Sequence, residues 1–131
     1  MRQLARYIIA NSYKPLLVKY LSGTRRFRYK NIRLDIPPEV FHPGFFFSTR
    51  FLLNFLSRLS LSSKSLLELG AGSGLLAIYA AQKGAVVTAS DISTIAIQTL
   101  IKNKLQNGVA VTVIASDLFA AIPIQAFDVI V

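Results

Sequence analysis

The stretch Leu66-Leu67-Glu68-Leu69-Gly70-Ala71-Gly72-Ser73-Gly74 carries the strongest structural signal in the sequence. Its first half is a short apolar run typical of a buried β-strand, and its second half places a glycine at every other position before a helical pattern begins. Glycine lets the backbone turn sharply and lets a ligand approach with no Cβ in the way. The free N–H groups of the following helix favour an anionic group at that turn. The stretch therefore predicts a strand, a ligand-binding glycine loop and a helix.

The chain after Lys64 alternates short apolar runs with helical patterns. The predicted strands cover residues 65–69, 85–90, 109–115 and 127–131, and the predicted helices cover 74–83 and 94–106, with a short turn or helix at 118–121. Ser93 is the expected N-cap of the second helix. Such alternation indicates a parallel sheet, and the small and β-branched residues of the central strands indicate helices on both faces. The predicted fold class is α/β, the N-terminal half of a Rossmann-like doubly wound sheet with mainly parallel strands.

A strongly basic segment precedes this sheet. The chain holds 15 Lys and Arg against 6 Asp and Glu, a net charge of +9, and residues 1–34 hold nine of the cations and none of the acids. The pattern there predicts short helices over residues 2–10 and 14–21, then a β-hairpin over 26–30 and 32–36 with one basic face.

An aromatic cluster links the basic segment to the sheet. A helix is predicted in it from about Thr49 to Ser60, with Ser48 as its N-cap. Phe41 opens this cluster, and we expect its other rings to lie mostly in the core, with one ring available to cover a ligand; these rings are Phe45, Phe46, Phe47, Phe51 and Phe55.

The composition excludes several classes of site. With 131 residues the chain fits one domain. The absence of cysteine excludes disulfides and thiolate chemistry, and the single histidine, His42, argues against a histidine metal cluster or a Ser-His-Asp triad. The longest stretch without a charge, 69–82, is too short to span a bilayer, and no signal-peptide pattern is present. We therefore expect a cytoplasmic protein with no membrane contact and no metal, and interpret His42 as a loop residue.

Three acidic residues lie where predicted strands end. Glu68 precedes the glycine loop, Asp91 stands 21 residues after Gly70 at the end of the second strand, and Asp117 follows the third. The carboxyl ends of parallel strands meet at the edge where open α/β sheets bind ligands. Asp91 is placed to accept both hydroxyls of a ribose.

The glycine spacing discriminates between nucleotide ligands. The dinucleotide fingerprint requires a glycine where the chain has Leu75, and the Gly-Lys-Ser/Thr of a P-loop is absent from the sequence. The negative charge of Glu68 would repel a pyrophosphate but suits a ligand with a sulfonium and an ammonium group. S-adenosylmethionine has both groups and is the expected cofactor, with S-adenosylhomocysteine as its product.

The sequence resembles the class I S-adenosylmethionine-dependent methyltransferases, and within them the release-factor glutamine methyltransferases and the small-domain rRNA methyltransferases. The resemblance covers about residues 20–131. Besides the glycine loop and the basic hairpin, it rests on Tyr20-Leu21-Ser22-Gly23, Val40-Phe41-His42-Pro43, Asp91-Ile92-Ser93, Ser116-Asp117-Leu118-Phe119 and Phe127-Asp128-Val129-Ile130-Val131. We therefore divide the chain into basic N-terminal helices and hairpin, 1–40, and a partial cofactor-binding methyltransferase domain, 41–131.

The resemblance implies a role for each candidate cofactor residue. Gly70, Gly72 and Gly74 would line the methionine end of the cofactor, and Glu68 would orient that end through its amine or a water. Asp91 would hold the ribose diol, with Ile92 against the adenine. Asp117 would accept a hydrogen bond from the exocyclic amine of the adenine, with Leu118 packed on the ring. Thr49 and Phe47 are further candidates for contact with the cofactor.

The resemblance also implies what the chain lacks. In these enzymes the strand that begins at Phe127 runs into an Asn-Pro-Pro-Tyr/Phe motif that grips the substrate NH₂, and this motif would begin just past Val131. We therefore expect a fragment of a longer product, with no catalytic residue within this chain and no activity alone. The segment from Pro43 to Thr49 departs from the compact Pro-Arg-Pro-Glu/Asp-Thr-Glu segment of release-factor enzymes, which leaves the substrate open.

Three function classes stay open. The leading one is methyl transfer to a nitrogen of a protein glutamine or an rRNA base, with a release factor, ribosomal RNA or a ribosomal protein as the substrate. The others are a nucleotide-dependent oxidoreductase and a non-catalytic RNA-binding module. Aromatic residues interleaved with the cations of residues 1–34 suit contact with nucleic acid, and the apolar strand at 127–131 suits pairing with a second chain in a dimer.

Overall fold

The computed structural model describes residues 14–20 and 22–131. Residues 14–20 are helical and are named α1. The further elements are β1 (Arg25–Tyr29), β2 (Ile32–Ile36), a 3-10 helix (Pro43–Phe45), α2 (Phe47–Ser57), β3 (Ser65–Leu69), α3 (Leu75–Gln82), β4 (Val86–Asp91), α4 (Thr94–Gln106), β5 (Val111–Ala115) and β6 (Val129–Ile130). The predicted helix over residues 2–10 lies outside the described residues. No helix in the described ranges is long and apolar enough to cross a membrane.

Four parallel strands form the central sheet in the order β5-β4-β3-β6. The chain steps twice in the same direction, from β3 to β4 to β5, so right-handed crossovers place α3 and α4 on one face. It then returns past β3 to β6, which sends the connection 116–128 across the other face. The strand order therefore reverses between β3 and β6, and the predicted doubly wound α/β class is confirmed. The second face differs from expectation, since the connection that crosses it forms turns rather than a helix.

The core lies between the sheet and the helices. Leu66, Val87 and Val111 stand side by side in register on one sheet face and belong to a buried cluster that includes residues of α2, α3 and α4. The same cluster takes in the inner face of the β1–β2 hairpin, whose residues Ile32 and Leu34 are almost completely buried. The hairpin is therefore packed against the sheet domain, and the predicted hairpin is confirmed.

Asn103 of α4 and Asn107, the C-cap of that helix, fix the hairpin to the body. Nδ2 of Asn103 donates to the carbonyls of Asp35, at 3.0 Å, and Ser73, at 2.9 Å, and its Oδ1 accepts the Asp35 N–H at 2.9 Å. Asn107 binds both backbone groups of Arg33 in the same way. These side chains satisfy the free edge of β2 as a neighbouring strand would. The division of the chain at residue 40 stays a prediction.

The helix after the aromatic cluster begins and ends earlier than predicted. α2 begins at Phe47, and its N-cap is Phe46, which makes no side-chain capping bond, so the prediction of Ser48 as N-cap is wrong. The preceding 3-10 turn, in which Nδ1 of His42 accepts the Gly44 N–H, brings the chain to the helix early. The helix ends three residues early because the N–H of Arg58 bonds to carbonyls of the last turn.

The phenylalanines of this region lie outside the core, contrary to the prediction. Phe47, Phe51 and Phe55 follow one another on the solvent side of α2 and are 82%, 61% and 45% exposed. Phe41, Phe45 and Phe46 are exposed as well. The opposite side of α2 supplies Leu53 and Leu56 to the core. Residues four apart share one helix face, so these three rings could only be buried or exposed together.

Other elements differ from prediction only near their ends. β3 and α4 have the predicted bounds, and the Ser93 hydroxyl caps α4 as expected. α3 lies one residue inside the predicted helix at each end, and β4 runs one residue later than predicted. β5 begins at Val111 because the Val109 N–H bonds back to the end of α4. β6 is restricted to two residues, since the Asp128 carboxylate instead binds the N–H and hydroxyl of Ser65.

Candidate functional site

A cavity of about 200 Å³ opens at the carboxyl edge of the sheet, where β3 and β6 lie side by side. The end of β3, the glycine loop, the start of α3, the 41–43 segment and one side of α2 form its walls. Its lining residues are Phe41, Pro43, Ser48, Thr49, Leu52, Glu68, Leu69, Gly70, Ala71, Gly72, Ser73, Leu75, Leu76 and Val131. The strand order reverses here, and open α/β sheets bind ligands in the crevice at such a reversal. The topology therefore marks this cavity as the candidate ligand site.

Glycine is needed at two positions of the loop for different structural reasons. Gly70 has a φ of +70°, and a Cβ added there would meet no atom within 4 Å, so its backbone is open to a ligand. Gly74 has a φ of +88° and caps α3, and a Cβ there would collide with the side chain of Leu100 in α4. Gly74 thus lets the first turn of α3 pack against α4 and does not line the cavity.

Asp91 holds the glycine loop in place from the end of β4. Its Oδ2 accepts the N–H of Gly72 and its Oδ1 accepts the N–H of Ser93, each at 2.9 Å. The Ala71 N–H also donates to the Ser90 carbonyl at 2.9 Å, so β4 fixes the loop at two points. A carboxylate has about four acceptor positions, which leaves Asp91 able to accept further hydrogen bonds.

Glu68 is the buried carboxyl of the cavity. The residue is 5% exposed and lies in β3. Its Oε2 is buried without a hydrogen-bond partner among the described residues. Burial raises the pKa of Glu68 to about 8, and the charge of Asp91 adds to the rise, while the N–H of Ala77 in the first turn of α3 opposes it. The cavity wall therefore holds a carboxyl that is largely protonated at neutral pH and lacks one partner.

Two apolar side chains stand in solvent where β4 and β5 end. Ile92 follows β4 and is 72% exposed, and Leu118 follows β5 and is 64% exposed. Leu118 has a left-handed φ of 47°, and its carbonyl accepts the hydroxyl of Ser116 at 2.8 Å. The exposed Asp117 lies between Ser116 and Leu118 in the sequence. This turn continues the carboxyl edge beyond Asp91.

A family model matches residues 32–131 of the chain, and its description is methyltransferase small domain. The chain belongs to the methyltransferase small domain family. The matched range includes the cavity, the glycine loop and all the acidic residues of the carboxyl edge.

Named relatives of this methyltransferase small domain come from bacteria and an archaeon. A ribosomal protein L11 methyltransferase of Helicobacter hepaticus is 39% identical over 98 residues, which cover 72% of this chain and 31% of that protein. A protein of Methanocaldococcus jannaschii whose name assigns it to the protein N5-glutamine methyltransferases is 32% identical over 102 residues, 77% of this chain and 49% of that protein. The chain spans about a third to a half of the length of these curated relatives.

Solved structures resemble the methyltransferase small domain in fold. A Thermus thermophilus 16S rRNA N2-guanine methyltransferase, solved with S-adenosylmethionine and guanosine, has a TM-score of 0.68 and 26% identity over 82% of this chain and 31% of that one. A ribosomal protein L11 methylase of Lactobacillus delbrueckii has a TM-score of 0.57 and 29% identity over 63% of this chain and 43% of that one.

The structure of this methyltransferase small domain brings only some of the predicted site residues together. Glu68, Gly70 and Gly72 line the cavity, and Asp91 supports it from behind the loop. Ile92, Asp117 and Leu118 lie outside its lining, as does Gly74. Thr49 lines the cavity, whereas Phe47 does not. The roles of these residues toward a cofactor stay predictions. No group of three or more His, Asp or Glu that could hold a metal exists in the described ranges.

Several residues of the cavity wall are not predicted from the sequence. Phe41 and Leu52 are the largest of them, with Ser48 from the first turn of α2 and Val131 after β6. Phe41 belongs to Val40-Phe41-His42-Pro43, a motif that carries the family resemblance and is therefore a signal for it. On the side of α2 that faces the cavity, only Thr49 is predicted to contact the cofactor, and the predicted start of the helix is two residues late.

Proposed function

We propose that the chain carries the S-adenosylmethionine-binding half of an N-methyltransferase whose substrate is a protein glutamine or an rRNA base of the translation machinery. The observation that carries the proposal is the Glu68 carboxyl, whose Oε2 is buried without a partner among the described residues on the wall of the glycine-loop cavity. A buried oxygen in this state requires a donor or a cation from outside the protein fold.

The chemistry of Glu68 favours one class of nucleotide ligand. An ammonium group in the cavity would supply both donors and positive charge, and the pKa of Glu68 would fall as its carboxylate became the counter-ion. A pyrophosphate would oppose the ionisation of the Glu68 carboxyl and would supply neither a donor nor positive charge to its unpartnered Oε2. S-adenosylmethionine carries an ammonium and a sulfonium, whereas a nicotinamide dinucleotide carries a pyrophosphate. The residues present therefore fit S-adenosylmethionine and disfavour the oxidoreductase alternative.

Each part of the carboxyl edge has a proposed task. Gly70 presents an open backbone to the methionine end, and Asp91 has spare acceptor capacity for ribose hydroxyls. Ile92 and Leu118 offer exposed apolar surface for the adenine, and Asp117 would accept from its exocyclic amine. When bound, S-adenosylmethionine supplies a methyl group on a good leaving group, so the protein has mainly to orient it toward the accepting nitrogen.

The substrate class is proposed from the named relatives. Their names assign them as methyltransferases of ribosomal protein L11, of the N5 nitrogen of a protein glutamine and of the N2 nitrogen of a 16S rRNA guanine. The last two names share an amide or amino nitrogen as the methyl acceptor. A substrate on the ribosome or on a release factor would place the protein in the cytoplasm.

Calorimetric titration of the full chain tests the cofactor. We expect S-adenosylmethionine and S-adenosylhomocysteine to bind and NAD not to bind. Glu68→Gln should lower the affinity for S-adenosylmethionine about 10- to 100-fold, the loss expected for a charge-assisted hydrogen bond. Glu39→Gln is the matched control, because Glu39 is exposed and outside the cavity lining. Binding of NAD alone, or equal affinities in both variants, would contradict the proposal; RNA binding with no cofactor binding would favour the RNA-binding module.

We also propose a dimer through β6. β6 pairs with β3, and in the part of the chain that the structure describes no strand pairs with its other side. An open strand edge is a template for a second chain. Sedimentation over a range of concentrations should show dimer formation that Ile130→Pro abolishes, and a monomer at every concentration would contradict it.

A further inference from the structure

The outer face of the β1–β2 hairpin forms a second concave surface, of about 470 Å³. We call it the arginine groove, since Arg26, Arg28 and Arg33 line it, together with Asp35 and Gln106. The three arginines are exposed and alternate with inward-facing residues, so the pleat of the hairpin puts all of them on one face. The neighbouring Arg25 is buried and belongs to the other face.

The strand register of the hairpin brings like charges together. Arg28 stands directly opposite Arg33 across the two strands. Like charges in such a pair destabilise a hairpin. Arg26 stands opposite Asp35, but Oδ2 of Asp35 lies 2.8 Å from Nζ of Lys102 in an ion pair. The groove therefore keeps an excess of positive charge, which lowers the stability of the hairpin.

Asp35, which is paired with Lys102, is the one acidic residue among the residues that line the groove. All six acidic residues belong to the described ranges, and the Lys102–Asp35 pair is the one ion pair found there. Glu68 is buried in the cavity, Asp91 is bonded to loop N–H groups and Asp128 to Ser65. Asp117 lies at the carboxyl edge of the sheet and Glu39 after the hairpin. The three exposed arginines of the groove are therefore available to an anionic partner.

Positive charge continues to the hairpin turn. Lys30 follows β1, and its Nζ lies 5.7 Å from the centre of the Tyr79 ring, while Nζ of Lys83 lies 5.8 Å from the same ring. These two ammonium groups border a further concave surface beside the turn. The Nε of Arg28 donates to the Lys30 carbonyl at 2.9 Å, which links the two surfaces and orients one guanidinium in advance.

We propose that the arginine groove binds the phosphate backbone of RNA. Guanidinium groups match phosphate oxygens in pairs, and a row of cations along a ribbon matches a chain of phosphates. The apolar residues that line the groove, Phe27 and Leu34, are half-buried and buried, so the groove offers charge without the exposed apolar anchors that protein interfaces use. The choice of RNA as substrate class rests on the proposed methyltransferase function, but the two can be tested separately, because no residue of the groove lines the cofactor cavity.

The decisive variant is Arg28→Glu. It replaces a like-charge pair with an ion pair to Arg33, so the midpoint of thermal unfolding should rise or hold. The affinity for a single-stranded 12-nucleotide RNA should nevertheless fall at least tenfold. A groove with only a structural role would show no loss of RNA affinity from a variant that keeps the fold. Equal RNA affinity in Arg28→Glu and wild type would overturn the proposal.

Salt dependence identifies the contact as phosphate. For Arg26→Gln/Arg28→Gln/Arg33→Gln, the slope of log affinity against log salt should fall in magnitude by about 2, since single strands contribute about 0.7 per phosphate. Arg50→Gln/Arg58→Gln is the control, with one exposed arginine in α2 and one at its C-cap, and it should keep the wild-type slope. A 12-residue poly-glutamate that binds as tightly as the RNA would overturn the assignment in favour of an acidic protein. S-adenosylmethionine affinity should be the same in all variants, so a failure of cofactor binding would be recognised independently.

Discussion

The N–H of Gly72 donates to Oδ2 of Asp91 at 2.9 Å, which ties the loop after β3 to the last residue of β4. The other carboxylate oxygen accepts the Ser93 N–H, so Asp91 serves two loops at once. The glycine loop therefore has a fixed shape before any ligand arrives, and binding does not have to supply the cost of ordering it.

Asp91→Ala should destabilise the fold as well as lower the affinity for the cofactor. Two partly buried N–H groups would lose their acceptors, and the free energy of unfolding should fall by about 2 kcal/mol. Urea unfolding measures this difference. Asp117→Ala is the control at the next strand end, where the carboxylate is exposed, and its unfolding free energy should equal that of the wild type. Equal stability of both variants would show that Asp91 does not hold the loop.

Glu68 should make stability depend on pH in an unusual direction. The pKa of Glu68 is about 8 in the folded chain and near 4.5 in the unfolded chain. Between these values the unfolded chain releases a proton that the folded chain keeps, so this contribution to stability is complete below pH 4.5 and is lost as the pH rises to 8.

Glu68→Gln removes that dependence. The thermal midpoint of the variant, minus that of the wild type, should increase from pH 5 to pH 8, and scanning calorimetry at several pH values measures it. His42, whose pKa burial and the charge of Arg25 hold below its ordinary value, contributes equally to both proteins. A difference that is constant with pH would contradict the raised pKa of Glu68.

Asn103→Ala should be among the most damaging single changes. Asn103 is completely buried, and its loss would leave both backbone groups of Asp35 and the Ser73 carbonyl without that partner. We expect the free energy of unfolding to fall by about 3 kcal/mol. Asn54→Ala, on the exposed side of α2, should change it by less than about 0.5 kcal/mol. Similar urea midpoints for the two variants would argue against the inter-element role of Asn103.

Gly70→Ala and Gly74→Ala separate ligand approach from packing. Both glycines have a left-handed φ, which costs an alanine about 1–2 kcal/mol. The Cβ of Gly74→Ala also collides with Leu100, so the free energy of unfolding of this variant should fall by about 1–3 kcal/mol more. Gly70→Ala should keep more of its stability and lose more S-adenosylmethionine affinity, because its Cβ would enter the open cavity edge. If Gly70→Ala were the less stable variant and Gly74→Ala bound S-adenosylmethionine more weakly, the assignment of ligand approach to Gly70 and of packing to Gly74 would be contradicted.

Local signals explain which parts of the fold could be predicted. β3 and α4 were predicted to the residue, since an apolar run before glycine and a Ser93 cap with an Asn107-Gly108 stop are contained in the sequence that forms them. The exposed rings of α2 were mispredicted, because aromatic composition does not tell which helix face meets a partner. Asn103 had no signal at all, as its partners lie 30 and 68 residues away.

The same holds for the candidate site. Glu68, Gly70 and Gly72 could be placed at the cavity because they follow one another in a single loop. Thr49 is expected there from the family resemblance, whereas Leu52 reaches it only through the packing of α2, which depends on tertiary contacts rather than on local pattern. The raised pKa of Glu68 likewise comes from burial and is not visible in the glycine motif.

The asparagine contacts also set an order of events during synthesis. The hairpin leaves the ribosome 68 residues ahead of Asn103, the side chain that completes the edge of β2 at Asp35. Until α4 has emerged, the nascent hairpin can pack on α3, through contacts such as Tyr29 with Tyr79, but it lacks the side chain that completes the edge of β2. The most cationic part of the described chain therefore gains its last anchor only when most of the domain has been translated.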